Sequence, residues 1–523
     1  MTEEKTAEYF ASQQKEISVS QFFEKNKHLL GFDNPTKALL MVVKEAVDNS
    51  LDACEEAGII PDIEVVVKNV GDDNYKVSVK DNGPGIVKTQ IPKIFGKLLY
   101  GSKFHRLKQS RGQQGIGISA AVLFCQLMTG KPTKIWSKTG KNKKTHYFEL
   151  LINSRDNEPE IIKQEDLDSP LIKEHGTKIE MLIIGRYRRK RGIDDYLKQT
   201  SISNPFAKIK YRGPDGKTII FPRTVNKLPK AAKEIKPHPY GVEFGVLDRM
   251  LKETKAKSLV SFLTREFSSI GTKSAGDICK IAGIKRSVLP NSLKRNEIKK
   301  LLAAMQKVKV QRPPIDCISP IGESEFKKSL EKEYPEAEFV TTVTREPAVY
   351  RGTPFQIEVG IVYGVGEDKP VDVLRFANRV PLLYQAGAGA IVEAIKETDW
   401  KRYGLKQSLG NLPSGPVIIA VHMASSWVPF ISESKEAIAP YPNIVKEIKL
   451  ALQDAGRKLS SFLSGKRRAG QQKRRLQIFE RYAPEVARAL SELTGKKQKE
   501  IEKKILSLTR KNIKIEDSGD GNG

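Results

Sequence analysis

The nine residues 45–53, Glu-Ala-Val-Asp-Asn-Ser-Leu-Asp-Ala, give the first indication of the fold. They lie in a helix predicted over 35–57, and Glu45, Asn49 and Asp52 recur at i, i+4 and i+7 on one face. A solvated polar face is the ordinary interpretation of such a helix. The chemical interpretation is that a carboxylate and an amide one turn apart hold a water and a hard cation. Glu45 would then act as a base and Asn49 as a magnesium ligand.

A turn with two glycines follows the strand predicted over 75–80. Its sequence, Asp81-Asn-Gly-Pro-Gly85, is common in ordinary turns. Glycines also let a planar ring approach the backbone, while the carboxylate of Asp81 accepts a hydrogen bond from an exocyclic amine. Both interpretations remain open on this segment alone.

A second glycine-rich segment, 110–119, opens a helix predicted over 118–128. Consecutive backbone N–H groups and a helix N-terminus form a cradle for an anion. The order of glycines, G-x-x-G-x-G, is the reverse of the dinucleotide fingerprint, and no buried strand precedes it. Because no Gly-Lys-Ser/Thr follows, a Walker A loop is excluded as well. His175-Gly-Thr177, before another predicted strand, carries little information by itself.

Composition points to a polyanionic partner. The chain has 523 residues, with 90 Lys+Arg against 62 Asp+Glu, a net charge of +28. Folding does not require such an excess of positive charge, but binding to the negatively charged backbone of a nucleic acid is favoured by it. Four cysteines without a CxxC pair exclude a zinc ribbon or a redox pair and favour a reducing cytosol. No apolar run approaches the 18 residues of a membrane span, and the polar N-terminus does not match a signal peptide.

Two proline-rich breaks, near 228–239 and at 311–314, divide the chain. We therefore predict an α/β multidomain protein. Its parts are an N-terminal arm over 1–30, an α/β domain over 31–228, a helical domain over 229–310, a second α/β domain with a stalk helix over 311–470, and a basic tail over 471–523. The stalk is predicted to begin near Tyr441, to run for about 22 residues and to end at Gly465.

In this order and with these gaps, the four motifs resemble the GHKL superfamily of ATPases over roughly residues 30–185. That superfamily includes gyrase-type topoisomerases, MutL-type repair proteins, large heat-shock chaperones and sensor histidine kinases. The resemblance implies an α/β sandwich that binds ATP, with Glu45 as general base, Asn49 as the magnesium ligand and Asp81 as the acceptor for the adenine amine. Thr177 would assist adenine through water. The implied nucleotide contacts also include Gly85 and lid residues Ser102, Lys103, Arg111, Gly112, Gln113, Gln114, Gly115, Ile116, Gly117 and Ile118.

Two later features resemble one branch, the ATPase subunits of type IIB DNA topoisomerases. Residues 262–287 are similar to a helix–two-turns–helix module, with glycines between the helical runs. A generic helical insertion is the alternative. Further on, Ser-Glu-Ser-Lys435-Glu-Ala follows a predicted apolar strand, and the resemblance makes Lys435 a catalytic lysine that reaches the γ-phosphate of ATP. A surface lysine is the default for any single Lys.

Candidate DNA contacts lie in three places with basic residues. Asp399 precedes Trp400-Lys401-Arg402-Tyr403, which resembles a family element that contacts DNA, although it could equally be a packed corner. A basic run over 466–475 begins with Lys466, Arg467 and Arg468, and a second lies at 186–191. Each of these basic runs can be interpreted either as a solvated face or as a set of phosphate contacts.

The resemblance implies the function as well. ATP would dimerise two chains through the ATPase domain and close a clamp on double-stranded DNA, with the 1–30 arm crossing to the partner protomer. The sole DxD, Asp166-Leu-Asp168, lacks the turn of a Toprim module. A partner, the A subunit of DNA topoisomerase VI, would therefore cut the DNA in an A2B2 heterotetramer, in the cytoplasm on an archaeal-type nucleoid. A MutL-like repair ATPase and a DNA-binding GHKL scaffold without turnover are the alternatives.

Overall fold

The computed structural model describes residues 6–14, 17–18, 21–22, 25–27, 31–101, 106–112, 115–366, 369–432 and 435–512. In these residues the chain forms three units, each with its own hydrophobic core: an N-terminal α/β unit, a helical unit and a C-terminal α/β unit. The α/β multidomain prediction is confirmed. No helix of the described residues is long and apolar enough to cross a membrane.

The N-terminal unit is built on eight strands. They are β1 (Asp62–Gly71), β2 (Asn74–Lys80), β3 (Thr133–Lys138), β4 (Thr145–Asn153), β5 (Glu158–Leu167), β6 (Gly176–Ile184), β7 (Lys208–Arg212) and β8 (Thr218–Phe221). They form one sheet in the order β5-β4-β3-β6-β2-β1-β7-β8. Only the β1–β7 pair is parallel among these neighbours, and β1 pairs with β2 in the register Val66 to Ser78.

Five helices occur in this part of the chain: α1 (Ala7–Gln13), whose residues are all exposed, α2 (Pro35–Glu56), α3 (Ile91–Gly96), α4 (Gly117–Thr129) and α5 (Ile193–Ser203). The helix α2 begins sharply, because the side chain of Asn34 accepts a hydrogen bond from the Lys37 N–H and Pro35 occupies the first turn. Side chains alternate along β1, so Ile63, Val65 and Val67 are buried in the core that α2 and α4 share with the sheet.

The helical unit contains α6 (Phe244–Glu253), α7 (Leu259–Glu266), α8 (Thr272–Ala282) and α9 (Arg295–Lys307). Gly283 ends α8 with a positive φ of 68°, the left-handed conformation that glycine adopts without cost. Between Phe244 and Lys307 the described residues form helices and no strand.

The C-terminal α/β unit has a sheet of six strands. They are β9 (Phe339–Thr344), β10 (Ala348–Tyr350), β11 (Thr353–Tyr363), β12 (Asp372–Ala377), β13 (Val380–Pro381) and β14 (Val417–Ser425). The helices are α10 (Glu323–Glu333), α11 (Ala390–Glu397), α12 (Pro442–Thr494) and α13 (Gln498–Asn512). One face of the sheet packs on α11 and α12, and the other packs on α10 and on Ile202 of α5.

The stalk helix α12 is longer than predicted. It runs for 53 residues, about 80 Å at 1.5 Å per residue. Gly465 and the basic run do not end it, so that part of the prediction was wrong, and residues 471–494 are helix rather than a separate tail. A glycine inside a helix costs only about 1 kcal/mol, and the Lys, Arg and Gln around Gly465 are good helix formers.

Candidate functional site

Most of the predicted site residues that the structure describes in the N-terminal unit line one cavity of about 540 Å³. The base candidate Glu45 and the amide Asn49 come from α2, Asp81 and Gly85 from the turn after β2, and Thr177 from β6. Lys435 enters from the C-terminal unit. The lid contributes Gly112, Gly115, Ile116, Gly117 and Ile118. Five separate segments of sequence therefore converge on a single cavity.

Glu45 lies between two ammonium groups. Burial would raise the pKa of its carboxyl, but Lys44 and Lys435 attract the negative charge, and the pKa lies below its ordinary value. Lys44 Nζ is 3.4 Å from Glu45 Oε1 and 2.8 Å from Asp48 Oδ2. Asp48 also accepts a hydrogen bond of 2.9 Å from the Tyr196 hydroxyl. Glu45 is thus held ionised, which is the state that a general base requires.

Asp81 is buried in the wall of the same cavity. Its Oδ1 accepts from the N–H groups of Gly83 at 2.9 Å and Thr177 at 3.1 Å, and its Oδ2 accepts from Ser50 Oγ at 3.0 Å. Burial raises the pKa of Asp81 despite these bonds. A carboxylate offers about four acceptor sites, so Oδ2 keeps capacity for one more donor. Thr177 Oγ1 lies 3.2 Å from Ser137 Oγ beside it.

The glycines of the site are required by close backbone approaches. A Cβ on Gly85, whose φ is +74°, would overlap the carbonyl oxygen of Lys138, and a Cβ on Gly176 would overlap that of Asp81. A Cβ on Gly117 would overlap the Glu45 carboxylate. Gly117 opens α4, so the carboxylate lies at a helix N-terminus, where negative charge is favoured.

Lys435 adopts a left-handed backbone with φ 54°. Burial lowers the pKa of its ammonium group, with Glu45 opposing the shift. The next residue, Glu436, is buried and pairs with Lys37 in the first turn of α2. Lys37 also pairs with Asp33 at 2.9 Å. The segment that carries Lys435 is therefore tied to the helix that carries Glu45.

Some predicted nucleotide contacts are not placed in the cavity. Ser102, Lys103, Gln113 and Gln114 lie outside the described residues. Arg111 is described, but its guanidinium turns away from the cavity: Nη1 is 2.7 Å from Asp52 Oδ1, and Nη2 pairs with Glu55. Asp52, on the same predicted face as Glu45, therefore holds an arginine instead of water or metal. Charge complementarity between α2 and the lid explains this difference.

The predicted DNA-contact element 400–403 divides into two parts. Trp400 is fully buried, and its Nε1 donates to the Ile395 carbonyl at 2.8 Å. Its ring packs edge-on against Tyr403, at 6.1 Å between centroids. Trp400 thus belongs to a packed corner, and its prediction as a DNA contact was wrong, because the apolar indole contributes most when buried. Lys401 and Arg402 are exposed.

The basic run on α12 lies on the surface. Lys466, Arg467 and Arg468 are exposed. Lys466 pairs with Glu338 and lies 5.6 Å from the Tyr363 ring centroid. These side chains remain candidates for phosphate contact.

Sequence reasoning missed two groups of cavity residues. Lys44, adjacent to Glu45, gave no signal beyond being one of many lysines. The apolar lining comes from scattered segments that share no motif: Phe32, Met41, Ile86, Ile94, Phe95 and Tyr100. An apolar slot beside a buried carboxylate suits a planar base, which is apolar on its faces and polar at its edge.

Comparison with known proteins identifies two regions. Residues 34–155 match the family model for histidine kinase-, DNA gyrase B- and HSP90-like ATPases, and residues 313–475 match that for the topoisomerase VI B subunit transducer. The C-terminal α/β unit is therefore called the transducer below. Among solved structures, the DNA gyrase B-subunit from Myxococcus xanthus covers 84% of the chain at 10% identity, with a TM-score of 0.44.

Curated relatives cover nearly the whole chain. The B subunit of type 2 DNA topoisomerase 6 from Methanococcoides burtonii is 50% identical over 93% of this chain and 78% of the relative. That of Archaeoglobus fulgidus is 48% identical over 94% of this chain and 81% of the relative. That of Pyrococcus horikoshii is 39% identical over 96% of both chains. The chain belongs to the family of type 2 DNA topoisomerase 6 B subunits, the ATPase subunits of type IIB topoisomerases.

Proposed function

We propose that ATP binds in the 540 Å³ cavity with adenine against Asp81 and its phosphates against the lid at 112–118. The observation that carries this proposal is the convergence of Glu45, Asp81 and Lys435 from distant segments on one space. The apolar lining receives the ring, and Asp81 Oδ2 accepts from the exocyclic amine. Backbone N–H groups at the start of α4 face the phosphates.

Magnesium fits the donors present. Asn49 offers a neutral amide oxygen one turn from Glu45, and hard oxygen donors are those that magnesium prefers. The remaining ligands would be phosphate oxygens and water. Bound there, the ion would neutralise charge that develops on the phosphates during transfer.

Hydrolysis depends on residues of this chain in three roles. Glu45, kept ionised by Lys44 and Lys435, accepts the proton of the attacking water. Lys435 stabilises negative charge on the terminal phosphate. The lid and the apolar walls exclude other water, which strengthens both interactions. Because Lys435 comes from the transducer, loss of the terminal phosphate removes a bond between the two α/β units.

ATP binding would dimerise two chains and close a clamp on duplex DNA. The 1–30 arm, described only in part, is proposed to cross to the partner protomer as a strap. The net charge of +28 suits a DNA partner, and exposed Lys401, Arg402, Arg467 and Arg468 are proposed phosphate contacts. Four buried free cysteines suit a reducing cytoplasm, where we place the protein on the nucleoid.

The DNA-cutting partner, the A subunit of DNA topoisomerase VI, is proposed to dock on the distal part of α12. Six large apolar side chains there are between 37% and 81% exposed and share one helix face: Ile478, Phe479, Tyr482, Val486, Leu490 and Leu493. We call them the stalk apolar face. The adjoining side of the helix holds buried Ala483 and Ala487, and Gln498 of α13 donates to the Pro484 carbonyl at 3.2 Å. Exposed apolar side chains in a row mark a protein interface, and an A2B2 assembly follows when two such stalks each bind one cutting partner.

Replacing Glu45 by alanine tests the ATPase assignment. ATP binding should persist while hydrolysis falls by about 10²–10⁴-fold, the usual contribution of a positioned base. ATP-bound dimers should then survive gel filtration. Glu64→Ala is the matched control, because Glu64 lies on β1 and pairs with Lys210 at 3.0 Å, away from the cavity. Hydrolysis at the wild-type rate in Glu45→Ala would refute the assignment.

A further inference from the structure

A tight turn of the transducer enters the N-terminal unit behind the ATP cavity. Asn378 and Arg379, between β12 and β13, have φ values of 49° and 65°. The Arg379 carbonyl accepts from Ser203 Oγ at 2.7 Å and from Asn204 Nδ2 at 3.0 Å. Arg379 Nη2 lies 2.6 Å from Glu55 Oε2 on α2. Both turn residues are buried, so this contact is part of the interior between the two units.

The same carboxylate, Glu55, also holds the lid. Its Oε1 pairs with Arg111, whose other nitrogen contacts Asp52. Arg111 directly precedes Gly112, which lines the ATP cavity. Glu55 thus joins two guanidinium groups, one from the lid and one from the transducer. The helix α2 that carries Glu55 also carries Glu45 and Asn49, two to three turns earlier.

The lid stem, residues 109–112, has further bonds to the transducer side. Asn378 Nδ2 donates to the Ser110 carbonyl at 3.1 Å. Gln109 donates from Nε2 to the Ser319 carbonyl at 2.8 Å, and the Ser319 N–H donates back to Gln109 Oε1 at 2.7 Å. The stem is therefore held by the segment before α10 and by the Asn378–Arg379 turn together.

On its own side, the turn is fixed to β14. The Arg379 N–H donates to His422 Nε2 at 2.9 Å, and the Ser425 N–H donates to Asn378 Oδ1 at 2.9 Å. Because Nε2 accepts, the imidazole proton sits on Nδ1, which lies 2.7 Å from Glu358 Oε2. β14 in turn leads to the segment that carries Lys435. A displacement of the lid stem is thus connected through bonded groups to the strand that precedes the lysine.

The contact is also costly for the protein to maintain. Arg379 is 5% exposed, and its Nε and Nη1 have no hydrogen-bond partner among the described residues. Its guanidinium lies 5.4 Å from the ring centroid of Phe206. Burying such donors opposes stability, and an apolar interface of similar volume would often be as stable. A buried guanidinium that contributes little to stability suggests a role in fixing the relative position of lid and transducer.

We propose that Arg379 and Asn378 are positioning residues that hold the lid stem in its ATP-binding position and report its state to the transducer. This contact acts behind the lid, whereas Lys435 acts at the phosphates, and the proposal rests on the ATP site proposed above. Without the turn, the lid stem keeps its Gln109–Ser319 bonds but loses its bond to Asn378 and its link through Glu55 to Arg379, so ATP must supply more of the free energy that orders it. The apparent affinity for ATP then falls while the chemical groups stay intact.

Steady-state ATP hydrolysis by the full chain tests the proposal. Arg379→Ala should raise the half-saturating ATP concentration by about tenfold, within the usual range of coupling between sites. The kcat at saturating ATP should stay within about twofold, because Glu45 and Lys435 are untouched. Arg379→Lys keeps a cation for Glu55 and should restore most of the affinity. If Arg379 had a purely structural role, its replacement would not raise KM while leaving kcat nearly unchanged.

Two further variants keep the test decisive. Asn378→Asp retains the acceptor for Ser425 but loses the donor to Ser110, so it should raise half-saturating ATP even if Arg379→Ala fails to fold. Lys198→Ala is the matched control, since Lys198 forms a 3.0 Å ion pair with Glu333 between the same two units without touching the lid. Wild-type half-saturation in Asn378→Asp and in any folded Arg379→Ala overturns the proposal, as does an equal shift in Lys198→Ala. A wild-type chain without Glu45-dependent hydrolysis would instead refute the proposed function.

Discussion

Gly117 lies so close to Glu45 that a Cβ atom on Gly117 would overlap Oε2 of the Glu45 carboxylate. The carboxylate therefore occupies the space that a side chain would fill at the start of α4. Helix N-termini favour negative charge, and the lid leads directly into this helix. Because Gly117 has no Cβ atom, the carboxylate of Glu45 can lie against the start of α4, and the position of the lid is thereby coupled to the position of the base.

Gly117→Ala should consequently move either the lid or Glu45. We expect hydrolysis to fall by about 10²-fold or more, the loss typical of a displaced catalytic group. The matched control is Gly245→Ala in α6, where a Cβ meets nothing within 4 Å. ATP hydrolysis by both variants is the measurement, and wild-type turnover by Gly117→Ala would show that the described approach of the two residues is not the active one.

Asp81→Asn should weaken ATP binding and shift preference toward GTP. Oδ1 accepts two N–H bonds, so the asparagine oxygen must take that position and its NH₂ must replace Oδ2. The NH₂ group of the asparagine would then face the adenine amine, which is also a donor, so no hydrogen bond would form. The same NH₂ group could donate to the carbonyl of guanine. A buried unpaired donor costs about 1–3 kcal/mol, or roughly five- to 150-fold in affinity. Calorimetry with both nucleotides tests this, and unchanged ATP affinity would contradict it.

The elements around the ATP site were predictable because each has a recognisable pattern in its local sequence. The helical spacing over 35–57, the strand pattern over 75–80 and the glycines before 118 correspond to α2, β2 and α4 with errors of one or two residues at most. The cavity joins these motifs as the family resemblance implies. Local pattern and global fold agree here, which is typical of well-specified sequences.

Contacts between distant segments were not predictable. The family resemblance implies that Arg111 contacts the nucleotide, yet its partners Asp52 and Glu55 lie more than 50 residues away. Trp400 lies in a motif with cations, but tertiary packing buries it. Gly465 is a weak helix breaker, and the good helix formers on both sides carry α12 through it.

DNA affinity should decrease steeply with salt. Each phosphate contact releases counterions, with a slope of about −0.9 per contact in a plot of log affinity against log salt. The double variant Lys401→Ala/Arg402→Ala should reduce the steepness of this plot by the contribution of roughly two phosphate contacts. Lys208→Ala with Lys210→Ala on β7 is the control pair. Duplex binding between low and moderate salt is the measurement, and an unaltered slope in the first pair would remove 401–402 from the DNA path.

The stalk apolar face should be needed for binding of the DNA-cutting partner. Ile478→Asp with Tyr482→Asp places charge on two side chains that are 56% and 57% exposed, so the helix should remain folded. Copurification with that partner should be lost while ATP hydrolysis is retained. Leu508→Asp, at a 58% exposed position on α13, is the control. Normal copurification of the double variant would place the docking site elsewhere on the chain.

We propose that Lys435 links the ATP cavity to the orientation of the transducer. Lys435→Ala should lower ATP hydrolysis by about 10²–10³-fold, because charge on the terminal phosphate loses a fixed cation. The most direct measurement is small-angle scattering of the full chain with a non-hydrolysable ATP analogue and with ADP. We predict two distinct shapes for the wild type and one nucleotide-independent shape for Lys435→Ala. Two distinct shapes in the Lys435→Ala variant would contradict the claim.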